Sequence, residues 1–395
     1  MTRLIMKNMG NERSSLIEGS DIGNAPKSRR LAKNHSCPDD GRSDKLSLRD
    51  YQIDFNCLDV KSSVKILFLT DIHWEYAEDI VKKTAFLNAL IKNSNPDFVM
   101  LGGDQVASAS NKNYESLFKV LEGFSEALGR DLYYGLVWGN HDEQWHWDDL
   151  SSSHLKECNP HCLYLEVDDM LVGESNYVIN LKKNGKTLWQ IYALDSNSMA
   201  LYPSEPHEGY DTIHDDQVEW FKEEVLESQK RNPGVKNIVY FHIPLWETEY
   251  AYRLSVGDKL TDYASSVGYL GRFSGVMHEE RTPRGELGMT NTCTSNVRSS
   301  FFSCAESLGA TIAMFYGHDH IDDFAAQYKL DEKDDYIWLV YGLKSGEGIY
   351  HDPALLGGTM MEIRGDMTYS IYRCFQSYED DYREKNGYRE ETICQ

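Results

Sequence analysis

The 395-residue chain contains no run approaching the roughly 18 apolar residues that a membrane-spanning helix needs. Its first twenty residues, MTRLIMKNMGNERSSLIEGS, hold no apolar core followed by small residues. Neither membrane insertion nor secretory export is expected, and the cytoplasm is the default location. Cysteine is sparse. The eight residues Cys37, Cys57, Cys158, Cys162, Cys293, Cys304, Cys374 and Cys394 are scattered over the whole length, unlike the dense framework of a disulfide-stapled module. They are expected to be mostly free thiols. Positive charge is also short: 40 Lys and Arg against 63 Asp and Glu leave a formal net charge of -23. That excess repels polyphosphate backbones, which argues against extended nucleic acid as a partner.

What is present is material for a core. The hydrophobic fraction is 41% and the aromatic fraction 12%, with 25 Tyr and 8 Trp, a composition of globular rather than disordered chains. Residues 1–50 are rich in Ser, Asn, Lys, Arg and Asp, carry the basic run Lys27–Lys33 and show no periodicity. They are expected to form a mobile polar tail. One folded domain is expected over 51–376, followed by a charged C-terminal tail over 377–395.

From Val64 the texture changes. Val64–Thr70 (VKILFLT) is a continuous apolar run, the pattern of a strand covered on both faces. Helical spacing of Ile80, Phe86, Leu87, Leu90 and Ile91 follows, then a strand at Phe98–Leu101, a helix near Tyr114–Leu128 and a strand at Leu132–Trp138. Further strands are predicted at Tyr177–Leu181, Leu188–Leu194, Asn237–Phe241, Thr311–Tyr316, Tyr336–Tyr341, Gly358–Ile363 and Met367–Arg373, with helices at Gln217–Ser228 and Val297–Leu308. The polar, Gly-rich stretch Tyr250–Asn296 is expected to be a long surface excursion.

Five predicted strands stop at side chains able to bind metals. They lead into Asp71-Ile72-His73, Gly102-Gly103-Asp104-Gln105, Gly139-Asn140-His141-Asp142, His242-Ile243-Pro244 and Gly317-His318-Asp319-His320. In open α/β sheets, sites form beyond the carboxyl ends of strands, so these clusters are expected to converge. Carboxylate, amide and imidazole donors together suit two divalent or trivalent ions such as Mn, Fe or Zn. Two such ions polarise a phosphoryl oxygen and lower the pKa of a bound water, the chemistry of phosphoester hydrolysis.

In their order, D-x-H, G-D-x, G-N-H-D, a strand-end His and G-H-x-H, these blocks resemble the signature of the calcineurin-like metallophosphoesterases. The words HIPLWE, GHDH followed by Asp322-Asp323, and YGLKSGEGIY resemble the intracellular purple-acid-phosphatase-like branch. The resemblance implies an αββα sandwich, two mixed sheets packed face to face with helices outside. It also implies that Asp71, His73 and His320 hold one ion, that Asn140, His242 and His318 hold the other, and that Asp104 bridges them. In that pattern a metal-activated hydroxide attacks phosphorus and His141 serves the leaving group, with Asn140 and His141 also contacting substrate.

The departures are specific. True purple acid phosphatases have Gly where His73 stands and a ligating Tyr where this chain has Ala107. Phosphoprotein phosphatases carry an Asp and an Arg where Val106, Ala107 and Ser108 supply neither. The partner of His141 is left to Asp142 or another acidic residue. Lys344 is expected either to reach a substrate phosphate or to sit in a solvated turn. The loop Cys158-Asn-Pro-His-Cys162 lacks the paired spacing of a structural zinc site and reads as free thiols. His146, between Trp145 and Trp147, is expected to line the pocket or to sit among packing indoles. The implied substrates are phosphorylated small molecules or phosphoproteins, with a phosphodiesterase or a non-catalytic scaffold as alternatives.

Overall fold

Both faces of the Val64–Leu69 run are buried because two sheets and two layers of helices enclose it. The computed structural model describes residues 51–394 except 57–61, 77–78, 109, 144–157, 166–170, 175, 202–207, 256–272, 277–291, 296–297, 331–334 and 379–386. The expected tail 1–50 and the Trp145–Trp147 run therefore lie outside the described residues.

In chain order the first half comprises β1 (Gln52–Phe55), β2 (Ser63–Leu69), α1 (Ile80–Ser94), β3 (Phe98–Gly102), α2 (Asn111–Leu128), β4 (Tyr133–Val137) and the single turn α3 (Asn140–Glu143). Then come β5 (Tyr177–Lys183), β6 (Lys186–Ala193), β7 (Met199–Leu201), β8 (Glu208–Tyr210), α4 (Asp215–Arg231), β9 (Lys236–Tyr240), α5 (Trp246–Ser255) and β10 (Phe273–Val276). The chain closes with α6 (Phe301–Leu308), β11 (Thr311–Tyr316), β12 (Ala325–Lys329), β13 (Tyr336–Tyr341), β14 (Gly357–Arg364), β15 (Tyr369–Gln376) and β16 (Tyr388–Cys394).

One sheet has the order β16-β15-β14-β2-β3-β4 and the other β1-β5-β6-β9-β11-β13-β12-β10. Within them β2, β3 and β4 are parallel, as are β6, β9, β11 and β13. Phe68 of β2 meets Tyr240 of β9 and Phe315 of β11 across the interface, with ring centroids 5.2 and 5.8 Å apart. Truncating so large a buried ring costs about 3–5 kcal/mol. Helices α1 and α2 bury Phe86, Leu87, Leu90, Tyr114 and Leu117 within the core cluster that β2, β3 and β4 share. Helices α4 and α6 bury Phe221, Val225, Phe301 and Phe302 in the cluster over the other sheet. This is the αββα sandwich.

Local signals set the helix limits. The Asp79 side chain accepts from Lys82 N at the start of α1, and Asn95 closes that helix in the left-handed conformation. Ser110 and Gly129 do the same for α2.

Two expectations change. Residues 388–394, placed by sequence in a charged tail, pair antiparallel with β15 as an edge strand. Arg373, buried on β15, pairs with Glu391 at 3.2 Å, so the charges on β16 help to hold it, and a charged edge resists further strand pairing. Within the Tyr250–Asn296 excursion, β10 pairs antiparallel with β12 at the sheet edge, and α5 continues to Ser255. Its four-residue length and interior Gly275 hide that strand from a periodicity search.

Candidate metal centre

The parallel strands deliver their loops to one rim. Beyond β2 and β3 the backbone is laced together, with Asp71 N donating to Gly103 O at 3.1 Å and His73 N to Asp104 O at 3.0 Å. Across the sheets, His318 N donates to both Asp71 carboxylate oxygens at 3.2 and 3.0 Å. Gly317 must be glycine because a Cβ there would fall onto the Thr70 hydroxyl and the Asp71 carboxylate. Four residues of the rim, Asp71, His73, Asp104 and His318, have left-handed backbones with φ of 54°, 47°, 50° and 82°. Each such non-glycine residue costs on the order of 1–3 kcal/mol, a cost that persists at sites the surrounding structure over-determines.

All seven residues Asp71, His73, Asp104, Asn140, His242, His318 and His320 are buried. Donor atoms of Asp71, His73, Asp104 and His320 lie within 4.8 Å of one another, and so do those of Asp104, His242 and His318. Asp104 belongs to both groups. His73 Nε2 faces His320 Nε2 at 2.9 Å and stands 3.5 Å from Asp104 Oδ2, while His320 Nε2 is 3.4 Å from Asp71 Oδ1. In the second group, His242 Nε2 lies 3.2 Å from Asp104 Oδ2 and 3.1 Å from Asn140 Oδ1.

These residues fit a pair of metal ions. Asp104 Oδ2, His73 Nδ1 and both ring nitrogens of His318 are buried without a hydrogen-bond partner. Each unmet buried group costs about 1–3 kcal/mol; cations would meet Asp104 Oδ2 and one nitrogen of His318, while His73 faces the other donors through Nε2 and not through its unmet Nδ1. Two further contacts orient ligands. A carbonyl only accepts, so His242 Nδ1 donates to Gly102 O at 2.8 Å and His320 Nδ1 to Tyr350 O at 2.9 Å. Both rings thereby turn Nε2 inward.

The electrostatics differ among the ligands. Burial raises the pKa of Asp71, but the imidazoles of His320 and His73 outweigh it and hold the carboxyl well below its ordinary value. Asp104 is lowered likewise, burial being outweighed by His242. Burial pushes His318 down to about 3, helped by the neighbouring His242. His242 is also depressed by burial, yet Asp104 outweighs this and lifts it to about 9.

The remaining predicted residues are placed as follows. His141 is half-buried, its backbone N donates to Asp104 Oδ1 at 2.8 Å, and its ring stands edge-on to His73 with centroids 4.9 Å apart. Asp142 braces backbone instead of presenting itself to the His141 ring. Its oxygens accept from Gly139 N at 2.9 Å, Tyr114 Oη at 2.9 Å, Gln105 N at 3.3 Å and Val106 N at 3.4 Å. Burial, reinforced by Asp104, raises it to about 7. Lys344 is not in a solvated turn. It is buried, its Nζ donates to the Asp71 carbonyl at 2.7 Å, and burial lowers it to about 7. Cys158 and Cys162 are free thiols, and His161 pairs with Glu122 at 2.6 Å.

Sequence reasoning missed Ser196. Its Oγ accepts from His242 N at 3.2 Å and Ile243 N at 2.8 Å, holding the loop beyond β9. The signal was available, since β6 also ends in a polar cluster, Asp195-Ser196-Asn197. Tyr210 was missed too; its ring meets His318 edge-on at 4.1 Å.

A family model described as calcineurin-like phosphoesterase matches residues 64–322, and the chain belongs to that family. Phosphatase DCR2 of Saccharomyces cerevisiae is 25% identical over 295 residues, covering 72% of this chain and 45% of that protein. A protein named probable inactive purple acid phosphatase 28 of Arabidopsis thaliana is 23% identical over 312 residues, covering 72% of this chain and 66% of its own length. These relatives agree with the purple-acid-phosphatase-like branch. A dimetal phosphatase structure from Danio rerio aligns over 84% of this chain and 98% of that one, at 10% identity and a TM-score of 0.43. The chain spans about half the length of the yeast phosphatase that it matches.

Proposed function

We propose that this protein is a dinuclear metal-dependent phosphomonoesterase acting on a phosphorylated small molecule or a phosphoprotein. The observation that carries the reading is the pair of buried donor groups that share Asp104. Asp71, His73 and His320 would hold one ion, Asn140, His242 and His318 the other, and Asp104 both. When bound, Mn, Fe or Zn would supply Lewis acidity toward a phosphoryl oxygen and activation of water.

The chain's own residues do the rest. Buried walls exclude bulk solvent from the donors. Asp104 receives the His141 backbone N–H and so ties the leaving-group side of the site to the bridging carboxylate. The half-buried His141 ring is the group available to give a proton to a departing alkoxide. Lys344 and Asp142 serve beneath the rim, holding the Asp71 and Gln105 loops in place. We place the protein in the cytoplasm, a reducing compartment that suits the free thiols found among the described residues. No described helix is long and apolar enough to cross a membrane.

The test is reconstitution of metal-free protein with Mn, Fe or Zn, followed by side-by-side assays on p-nitrophenyl phosphate and bis-p-nitrophenyl phosphate. Two ions per chain with faster monoester turnover is the expected result. Faster diester turnover transfers the assignment to a phosphodiesterase. Absence of both ions and hydrolysis supports a non-catalytic scaffold, the reading that the name of the Arabidopsis relative brings forward.

A further inference from the structure

The segment after β13 is pressed against the segment after β2. Ser345 N donates to Thr70 O at 2.8 Å, and Thr70 N donates back to Ser345 Oγ at 3.2 Å. At Gly348 the approach is closer still, since a Cβ there would stand 2.5 Å from the His73 carbonyl oxygen. Only glycine fits that contact. The next residue, Ile349, has φ of 61° although it is β-branched, the side-chain type least tolerant of the left-handed region. It is 47% exposed, so burial of its side chain does not account for the conformation. What the conformation achieves is the placement of Tyr350. That residue meets His320 twice: its carbonyl takes the Nδ1 proton at 2.9 Å, and its ring stacks on the same imidazole with centroids 4.2 Å apart and planes 24° apart.

We propose that Tyr350 is a positioning residue for the ion held by Asp71, His73 and His320. The carbonyl selects which His320 nitrogen faces the ion, and the stacked ring sets the plane in which that nitrogen points. The strained backbone at Ile349 aims both. The two imidazoles of the other ion differ, because His242 is oriented by Gly102 and His318 meets Tyr210 through an edge. Loss of the Tyr350 ring therefore acts on one ion and spares the other. The inference rests on the dinuclear reading and goes beyond it by making the two ion sites unequal in their support.

The experiment is calorimetric titration of Mn(II) into metal-free full-length protein, with electron paramagnetic resonance to report coupling between paired ions. Wild-type protein is expected to take up two ions. In Tyr350→Ala, which keeps the carbonyl and loses only the stacked ring, one of them should bind about 10-fold more weakly, the low end of the loss for an outer partner of a ligating histidine, with the coupled signal reduced. Tyr350→Phe, which keeps the stacked ring, should match wild type. Tyr350→Leu, which keeps bulk without a flat face, should behave like Tyr350→Ala and provides the test if the alanine variant fails to fold. Equal two-site binding in the Ala and Leu variants, or equal weakening of both sites, overturns the proposal. Failure of the wild type to bind two ions would instead remove the dinuclear reading beneath it.

Discussion

Two regions of this molecule bury polar side chains densely, and they do so in opposite ways. On the outer face of the eight-stranded sheet, beneath α4, Tyr192 donates to Gln190, Gln190 to Asn180, Asn180 to Gln52 and Asp54, and Gln52 to Glu224. Those bonds run unbroken along the ladder, leaving Glu224 Oε1 unmet at its end and Asn237 Oδ1 and Trp220 Nε1 unmet beside it, on a backbone without left-handed strain. At the rim between the sheets, Asp104 Oδ2, His73 Nδ1 and both His318 nitrogens stay unmet, and four residues carry left-handed strain. Buried polarity bonded in series on an unstrained frame specifies a fold, whereas buried polarity left open in a strained frame is preparation for a ligand.

The sharpest way to break this contrast is Asp104→Asn. It removes the donor common to both groups and should lower p-nitrophenyl phosphate turnover by about 10³-fold or more, the equivalent of several kcal/mol of Lewis-acid stabilisation. Bound metal, measured by elemental analysis, should fall below two ions per chain; full turnover and full metal content would contradict the site. His141→Ala is milder, with a loss of roughly 10²–10⁴ in kcat while metal content stays at the wild-type level, as for removal of a general acid.

On the ladder side, the test is pH. Burial raises the Glu224 pKa from 4.5 to about 7. The folded protein therefore keeps a proton there that the unfolded chain releases, and stability falls as pH rises from about 4.5 to about 7. Glu224→Gln should flatten that decline, by about 3 kcal/mol at most, in denaturant titrations across the window. An unchanged pH dependence would show that Glu224 does not retain its proton. The smallest effect belongs to Ser196→Ala, which strands the His242 and Ile243 amides. A loss of about 1–3 kcal/mol in unfolding free energy is expected, with little change in monoester specificity.

Much of the site was legible before any coordinates because parallel strands buried on both faces read as unbroken apolar runs, which makes their polar ends conspicuous. Asp71, His73, Asp104, Asn140, His242, His318 and His320 were all visible in that way. The roles of Asp142 and Lys344 were not, because spacing reveals proximity to a loop but not whether a side chain turns under it or out of it. Ser196 was overlooked although β6 shows the same ending as its neighbours. Strands at or next to the sheet edges escaped for another reason. β10 and β12 are four and five residues long, and β16 carries Arg389, Glu390 and Glu391, the composition that also describes a solvated tail.

The origin of the donors has a mechanical consequence. Asp71 and His73 follow β2 in one sheet, while His320 follows β11 in the other; Asn140 and His242 divide the same way between β4 and β9. Each cation would thus act as a clasp between the halves of the sandwich. Chelation should loosen the whole molecule as well as silence it, by up to about 4 kcal/mol for each ion supplied at a thousandfold excess over its dissociation constant.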